Sequence, residues 1–79
     1  MSVTVYLPKT GMGIQEGTII KWLKAVGDRV EKGEPIVEFE TVKAATELEA
    51  PADGVLAEIL VPEGETVEVE TEIGIIREA

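Results

Sequence analysis

The chain has 79 residues, enough for one small domain. A domain of that size buries only roughly 60 % of the surface its unfolded chain exposes, so there is little room for both a core and a substrate cleft. Seven basic against sixteen acidic residues give a net charge of −9, and there is neither cysteine nor histidine; this disfavours nucleic-acid and anionic-membrane binding, disulfides, thiolate nucleophiles, sulfur-ligated metals and histidine-based catalysis.

In chain order the pattern is one of short strands and turns. Val3, Val5 and Leu7 alternate with Thr4 and Tyr6, the period of a half-buried strand, and Pro8 closes it. Lys9 to Gly17 is glycine-punctuated and reads as a surface loop; within it Met12 and Ile14 are apolar, and Ile14 can dip into the core. Thr18 to Leu23 is β-branched and aromatic, a second strand whose Trp22 reads as a core or rim aromatic. Val26-Gly27-Asp28 is a turn, Val30 begins a short strand, and Lys32-Gly33-Glu34 turns again. Ile36 to Thr41 is a strand in which Val37 and Phe39 alternate with Glu38 and Glu40; from Ala44 to Ala50, Thr46 and Leu48 face one way and Glu47 and Glu49 the other. Pro51 to Gly54 is a turn, Val55 to Val61 a strand, Pro62 to Gly64 a turn, Val67 to Val69 a short strand, and Glu72 to Arg77 the last. Ile20 to Val26 has no cap and is bounded by Gly17 and Gly27, so no helix is expected and the chain is all-β.

A shift of 37 residues superimposes the chain on itself. It aligns Gly17 with Gly54, Leu23 with Leu60, Gly27 with Gly64, Val30 with Val67, Glu31 with Glu68 and Ile36 with Ile73, and pairs Ile19 with Leu56, Trp22 with Ile59 and Phe39 with Ile76. Two equivalent halves, each with one apolar face, are expected to pack face to face as a flattened barrel or sandwich with internal pseudo-two-fold symmetry. In this frame Lys43 answers to Tyr6 and Ala79 to Val42. Lys43 is then expected at one end of the domain and both termini at the other.

The stretch from Ile36 to Ala50 contains no glycine or proline, and as one strand it would reach roughly 50 Å at about 3.3 Å per residue, too long for this domain. The chain must turn inside it. The small residues Ala44 and Ala45 mark the place, putting Lys43 at the tip of a hairpin over Thr41-Val42-Lys43-Ala44.

Glu40-Thr41-Val42-Lys43-Ala44-Ala45-Thr46-Glu47, followed by Ala50-Pro51 and Gly54, resembles the attachment hairpin of lipoyl (biotinyl/lipoyl carrier) domains. Leu7-Pro8, Gly11, Glu16-Gly17, Trp22, Val26-Gly27-Asp28 and Val30 resemble the first half of that family, most closely the lipoyl domains of dihydrolipoamide acyltransferases of 2-oxoacid or acetoin dehydrogenase complexes. The resemblance implies a barrel-sandwich of two four-stranded antiparallel sheets. Lys43 would carry covalently attached lipoic acid, which supplies the redox and acyl-carrying chemistry that a cysteine-free chain lacks. Glu40, Thr41, Val42, Ala44 and Glu47 would be read by the modifying enzyme or by partners, and Gly11, Met12 and Ile14 would form the loop beside the turn that a decarboxylase recognises. Implied partners are a lipoate-attaching enzyme, a thiamine-dependent 2-oxoacid or acetoin dehydrogenase component, an acyltransferase catalytic domain and dihydrolipoamide dehydrogenase, with no nucleic acid and no membrane. The domain itself would be a non-catalytic carrier.

Two features depart from the pattern. Acyltransferase lipoyl domains usually have Asp before the lysine, and Val42 stands there, as in the Val-Lys-Ala of glycine-cleavage carrier proteins. Biotin carriers flank the lysine with methionines, and Val42 and Ala44 match neither, which leaves biotin as the alternative cofactor and an unmodified interaction module as the alternative function. Residues 1–79 are expected to be a single carrier domain and a fragment of a larger multidomain chain. The start lacks a basic-then-apolar signal pattern, so the expected place is the bacterial cytoplasm (the mitochondrial matrix in a eukaryote), not secretion. Glu38, Glu40, Glu47 and Glu49 would line the outer face of the hairpin as a solvated face or as an acidic collar steering basic partners. Glu63 and Glu65 sit in turns with no pocket that would suit a hydrolase or calcium site.

Overall fold

A computed structural model describes residues 1–9 and 11–78; Thr10 of the predicted loop and Ala79 of the repeat frame lie outside the described residues. Eight strands follow one another with no helix between the described residues: β1 (Ser2–Tyr6), β2 (Glu16–Trp22), β3 (Arg29–Val30), β4 (Pro35–Glu40), β5 (Ala45–Glu49), β6 (Gly54–Ile59), β7 (Thr66–Glu68) and β8 (Glu72–Arg77). They form two four-stranded antiparallel sheets, ordered β1-β8-β6-β3 and β5-β4-β2-β7. Between them lies one core, in which Val5, Leu7, Ile19, Trp22, Val30, Ile36, Val37, Phe39, Leu56, Ile73 and Ile76 are buried. Each such side chain withdrawn from water contributes about 1.5–3 kcal/mol, which is how a chain this short holds together without disulfides.

The repeat is visible atom by atom. Leu23 N donates to Ile36 O and Leu60 N to Ile73 O; Gly27 N donates to Leu56 O and Gly64 N to Ile19 O. The bulges repeat as well. Register shifts fall between Ile19 and Lys21 and between Leu56 and Glu58, and again beside Ile36 and Ile73. The predicted alternation of Val37 and Phe39 with Glu38 and Glu40 holds, and the bulge adds Ile36 to the inward face: a strand with one extra residue turns two consecutive side chains inward, and Ile36 and Val37 are both fully buried.

Other differences from the sequence reading have local causes. β2 begins at Glu16 because β7 pairs with Glu16 and Gly17. β6 begins at Gly54 and stops at Ile59, after which Leu60 N and Val61 N both turn to the Ile73 carbonyl. Thr46 shares the inward face with Leu48 but is exposed, because β5 is a sheet edge.

One correspondence is corrected. The 37-residue shift holds for β2, β3 and β4 against β6, β7 and β8, but by sheet order β1 answers to β5. Leu7 bonds Glu70 and Thr71 as Ala50 bonds Gly33 and Glu34. Leu7 therefore matches Ala50, Tyr6 matches Glu49 rather than Lys43, and the counterpart of the Lys43 turn is the place where the two chain ends meet.

The ends do meet, for Glu78 N donates to Met1 O at 2.8 Å. From there β1 runs to Leu7, which lies against Gly17 beside Glu40, at the base of the Lys43 turn. Lys43 and the termini thus occupy opposite ends of the sandwich.

Candidate functional site

The β4–β5 hairpin closes where expected. Glu40 pairs with Ala45, Thr41 N donates to Ala44 O at 3.0 Å, and Val42 and Lys43 are the two tip residues. The Thr41 hydroxyl braces the turn from inside, donating to Ala44 O at 3.3 Å and accepting from Lys43 N at 3.4 Å. Two-residue hairpins usually take mirror-image turns with positive φ, a region costly for a β-branched residue. Neither Val42 nor Lys43 has positive φ, so Val42 is accommodated without backbone strain.

Lys43 is exposed, and among the described residues the only ion pair is Lys24 with Glu34. The Lys43 amine is therefore held by position alone: the backbone around it is fixed while the side chain projects freely. Val42 is 88 % exposed. It stands between two shallow hollows, one lined by Glu16, Gly17, Thr18, Glu40, Thr41 and Thr66, the other by Gly13, Ile14, Gln15 and Glu16. A shallow surface of this kind suits contact with a larger partner better than enclosure of a small molecule.

Of the residues singled out in sequence, Glu40, Thr41, Val42, Lys43 and Ala44 come together at the turn. Glu47 sits further along, opposite Glu38 on the outer face of the sheet, where Lys21 pairs with Glu38 from the other side. Gly13 and Ile14 reach the turn from the β1–β2 loop. There Met12 is 90 % exposed, whereas Ile14 is buried and touches Gly11. Glu16, Thr18 and Thr66 were missed: they join the site because β7 pairs with β2, and the Thr18 and Thr66 hydroxyls meet at 2.7 Å. Their only signal was outward-facing polarity.

Glu63, read as a turn carboxylate, accepts the Trp22 backbone N–H at 3.0 Å. Among the described residues no group of carboxylates could hold a metal ion. Nor is there, among the described residues, a helix long and apolar enough to cross a membrane.

The family profile described as "Biotin-requiring enzyme" matches residues 3–76. The chain is 46 % identical over 79 residues to the dihydrolipoyllysine-residue acetyltransferase component of the pyruvate dehydrogenase complex of Corynebacterium glutamicum, covering all of this chain and 12 % of that protein. It is 50 % identical over 74 residues to the succinyltransferase component of the 2-oxoglutarate dehydrogenase complex of Staphylococcus saprophyticus, covering 94 % of this chain and 18 % of that one. Against the acetyltransferase component of the acetoin cleaving system of Bacillus subtilis the identity is 46 % over 79 residues, covering all of this chain and 20 % of the relative. The chain thus spans a fifth or less of each of these three relatives. Among solved structures, the lipoyl domain of the 2-oxoglutarate dehydrogenase complex from Azotobacter vinelandii superimposes with a TM-score of 0.78 at 38 % identity, covering 96 % of both chains.

Proposed function

Since the chain belongs to the biotin–lipoyl family and has the fold of a lipoyl domain, we propose that it is a lipoyl carrier whose Lys43 holds lipoic acid in amide linkage. The observation that carries the reading is an exposed, unpaired lysine at the tip of a closed hairpin, in a chain aligned end to end with acyltransferase components. The turn suits such a group: the amine is reachable, its backbone is fixed, and the hollows beside it are shallow. Bound there, a dithiolane supplies the disulfide redox and acyl-carrying capacity that this cysteine-free chain lacks.

What the protein's own residues do is position. Thr41 and the Thr41–Ala44 pairing fix the hairpin, so that a modifying enzyme can distinguish Lys43 from Lys9, Lys21, Lys24 and Lys32 by place as well as by neighbours. Tethering keeps the arm at high local concentration near each partner without tight binding. In this reading the domain is non-catalytic and part of a longer acyltransferase chain in the bacterial cytoplasm. Its partners are a lipoate-attaching enzyme, a thiamine-dependent 2-oxoacid or acetoin dehydrogenase component, the acyltransferase catalytic domain and dihydrolipoamide dehydrogenase. The Met12 loop and Val42 are its contact surface for the decarboxylating partner, with Gly11, Ile14, Glu40, Thr41, Ala44 and Glu47 shaping that surface.

The test is the intact mass of the domain expressed in cells supplied with lipoate or with biotin, beside a Lys43→Ala control. A lipoyl increment that the control lacks is expected. A biotinyl increment selects a biotin carrier, and no increment with either cofactor overturns the carrier reading.

A further inference from the structure

The two halves differ most in one link. Leu7 and Ala50 are equivalent, as are Gly17 and Gly54, yet the chain takes ten steps between the first pair of landmarks and four between the second. Six residues are inserted between β1 and β2, and this insertion brings Gly13 and Ile14 to the hollow that Val42 lines, with Met12 exposed next to them in the chain.

Besides the buried Ile14 side chain, a pair of consecutive amides in the β7–β8 turn holds the insertion at its two ends. Glu70 N donates to Leu7 O at 2.6 Å, just before the insertion, and Val69 N donates to Gln15 O at 2.9 Å, at its end. The other half has the same two amides. Gly33 N donates to Ala50 O at 3.0 Å, and Lys32 N donates to the Asp53 side chain at 2.7 Å. In the short link a side chain receives the second amide; in the long link a loop carbonyl does. Both turns place the second residue in the left-handed region, Gly33 at φ 90 and Glu70 at φ 68, and among the described residues Glu70 is the only non-glycine there. A left-handed L-residue costs about 1–2 kcal/mol and persists where its surroundings over-determine it.

We propose that Val69 and Glu70 are positioning residues for the encounter with the decarboxylating partner. Their amides pin both ends of the inserted loop, so that Gly13 and Ile14 are held against the hollow that Val42 lines beside Lys43. This rests on the carrier reading of Lys43 given above.

Glu70→Val tests it, because a β-branched residue tolerates the left-handed region least, with Glu70→Gly as the variant that keeps the turn. In unmodified Glu70→Val, the Val69 and Glu70 amides are expected to exchange with deuterium about tenfold faster, a local loosening of about 1.4 kcal/mol, while the Thr41 amide keeps its protection. Lipoylation of Lys43, read by mass, proceeds as in wild type. With the pyruvate-, 2-oxoglutarate- or acetoin-decarboxylating component that acylates wild type fastest, KM rises roughly fivefold, about 1 kcal/mol, with kcat little changed. Glu70→Gly matches wild type throughout.

Unchanged exchange at Val69, or faster exchange with unchanged KM, overturns the proposal. Should Glu70→Val not fold, replacing residues 9–16 by Ala-Asp copies the Ala52-Asp53 link and gives the Val69 amide an acceptor. That variant is expected to be lipoylated but to show the raised KM, and acylation at the wild-type KM overturns the proposal. A wild-type domain that takes no lipoyl group would instead overturn the carrier reading, and the exchange measurement would still decide whether Glu70 holds the loop.

Discussion

The indole N–H of Trp22 donates to the carbonyl oxygen of Val61 at 2.9 Å, tying the end of β2 to the chain that leaves β6. The same ring lies over Gly74, where a Cβ would come within 3.0 Å of it. In the repeat frame Trp22 answers to Ile59 and Gly74 to Val37, so the larger ring sits over the smaller neighbour. Trp22→Phe keeps most of the apolar bulk but strands a buried carbonyl, which costs about 1–3 kcal/mol. Urea denaturation followed by circular dichroism is expected to show a lower midpoint with an unchanged slope.

Gly54 separates close packing from backbone conformation. A Cβ there would lie 2.2 Å from the Arg77 carbonyl oxygen, whereas at Gly27, with φ 97, it would meet nothing within 4 Å. Gly27→Ala is expected to cost only the left-handed penalty of about 1–2 kcal/mol. Gly54→Ala must push β8 away from β6 and is expected to cost more, with overpacking adding about 1–3 kcal/mol or more. If thermal unfolding ranks the two variants the other way, the described contact of Gly54 with β8 is wrong.

Glu34 accepts the Glu31 amide at 3.1 Å and pairs with Lys24 at 3.2 Å. The amide first and the ammonium second hold its carboxyl below the ordinary value. A carboxyl lowered in the folded state contributes stability that is fully present above its unfolded pKa, near 4.3, and is lost as pH falls through the folded value. The stability advantage of wild type over Glu34→Gln is therefore expected to be constant near neutrality and to shrink below about pH 4.3. Paired urea titrations at successive pH values would show it, and an advantage that grows in acid would contradict the assignment.

Val42 is exposed and unstrained, and among the described residues it makes no turn or loop hydrogen bond. Val42→Asp is expected to change stability by less than about 0.5 kcal/mol, the range of ordinary surface substitutions, and to leave lipoylation intact. The rate of reductive acylation by a given decarboxylating component is expected to change. Equal rates for both forms across the pyruvate, 2-oxoglutarate and acetoin components would remove Val42 from the recognition surface.

Much of this was legible before any coordinates. Period-two patterning located β1, β4 and β5, β-branched and aromatic content located β2, the glycine and proline turns bounded the other four, and the length limit on a single strand forced the turn at Lys43. What escaped depended on which strands lie side by side. Thr18 and Thr66 are 48 positions apart and meet only because β7 flanks β2. The bulge that buries both Ile36 and Val37 has no local signature in two adjacent β-branched residues. The true partner of Lys43 in the repeat was hidden because the six-residue insertion breaks the frame between Pro8 and Gly17, and only hydrogen bonds at Leu7 and Ala50 restore it.

Because the meeting of Met1 and Glu78 stands where the other half has its lysine turn, the molecule has two equivalent poles put to opposite uses. Polypeptide joined to either end leaves from one pole, and Lys43 rides on the other. In the carrier reading, any linker would join at the pole farthest from Lys43, so the length of the sandwich adds to the reach of the arm.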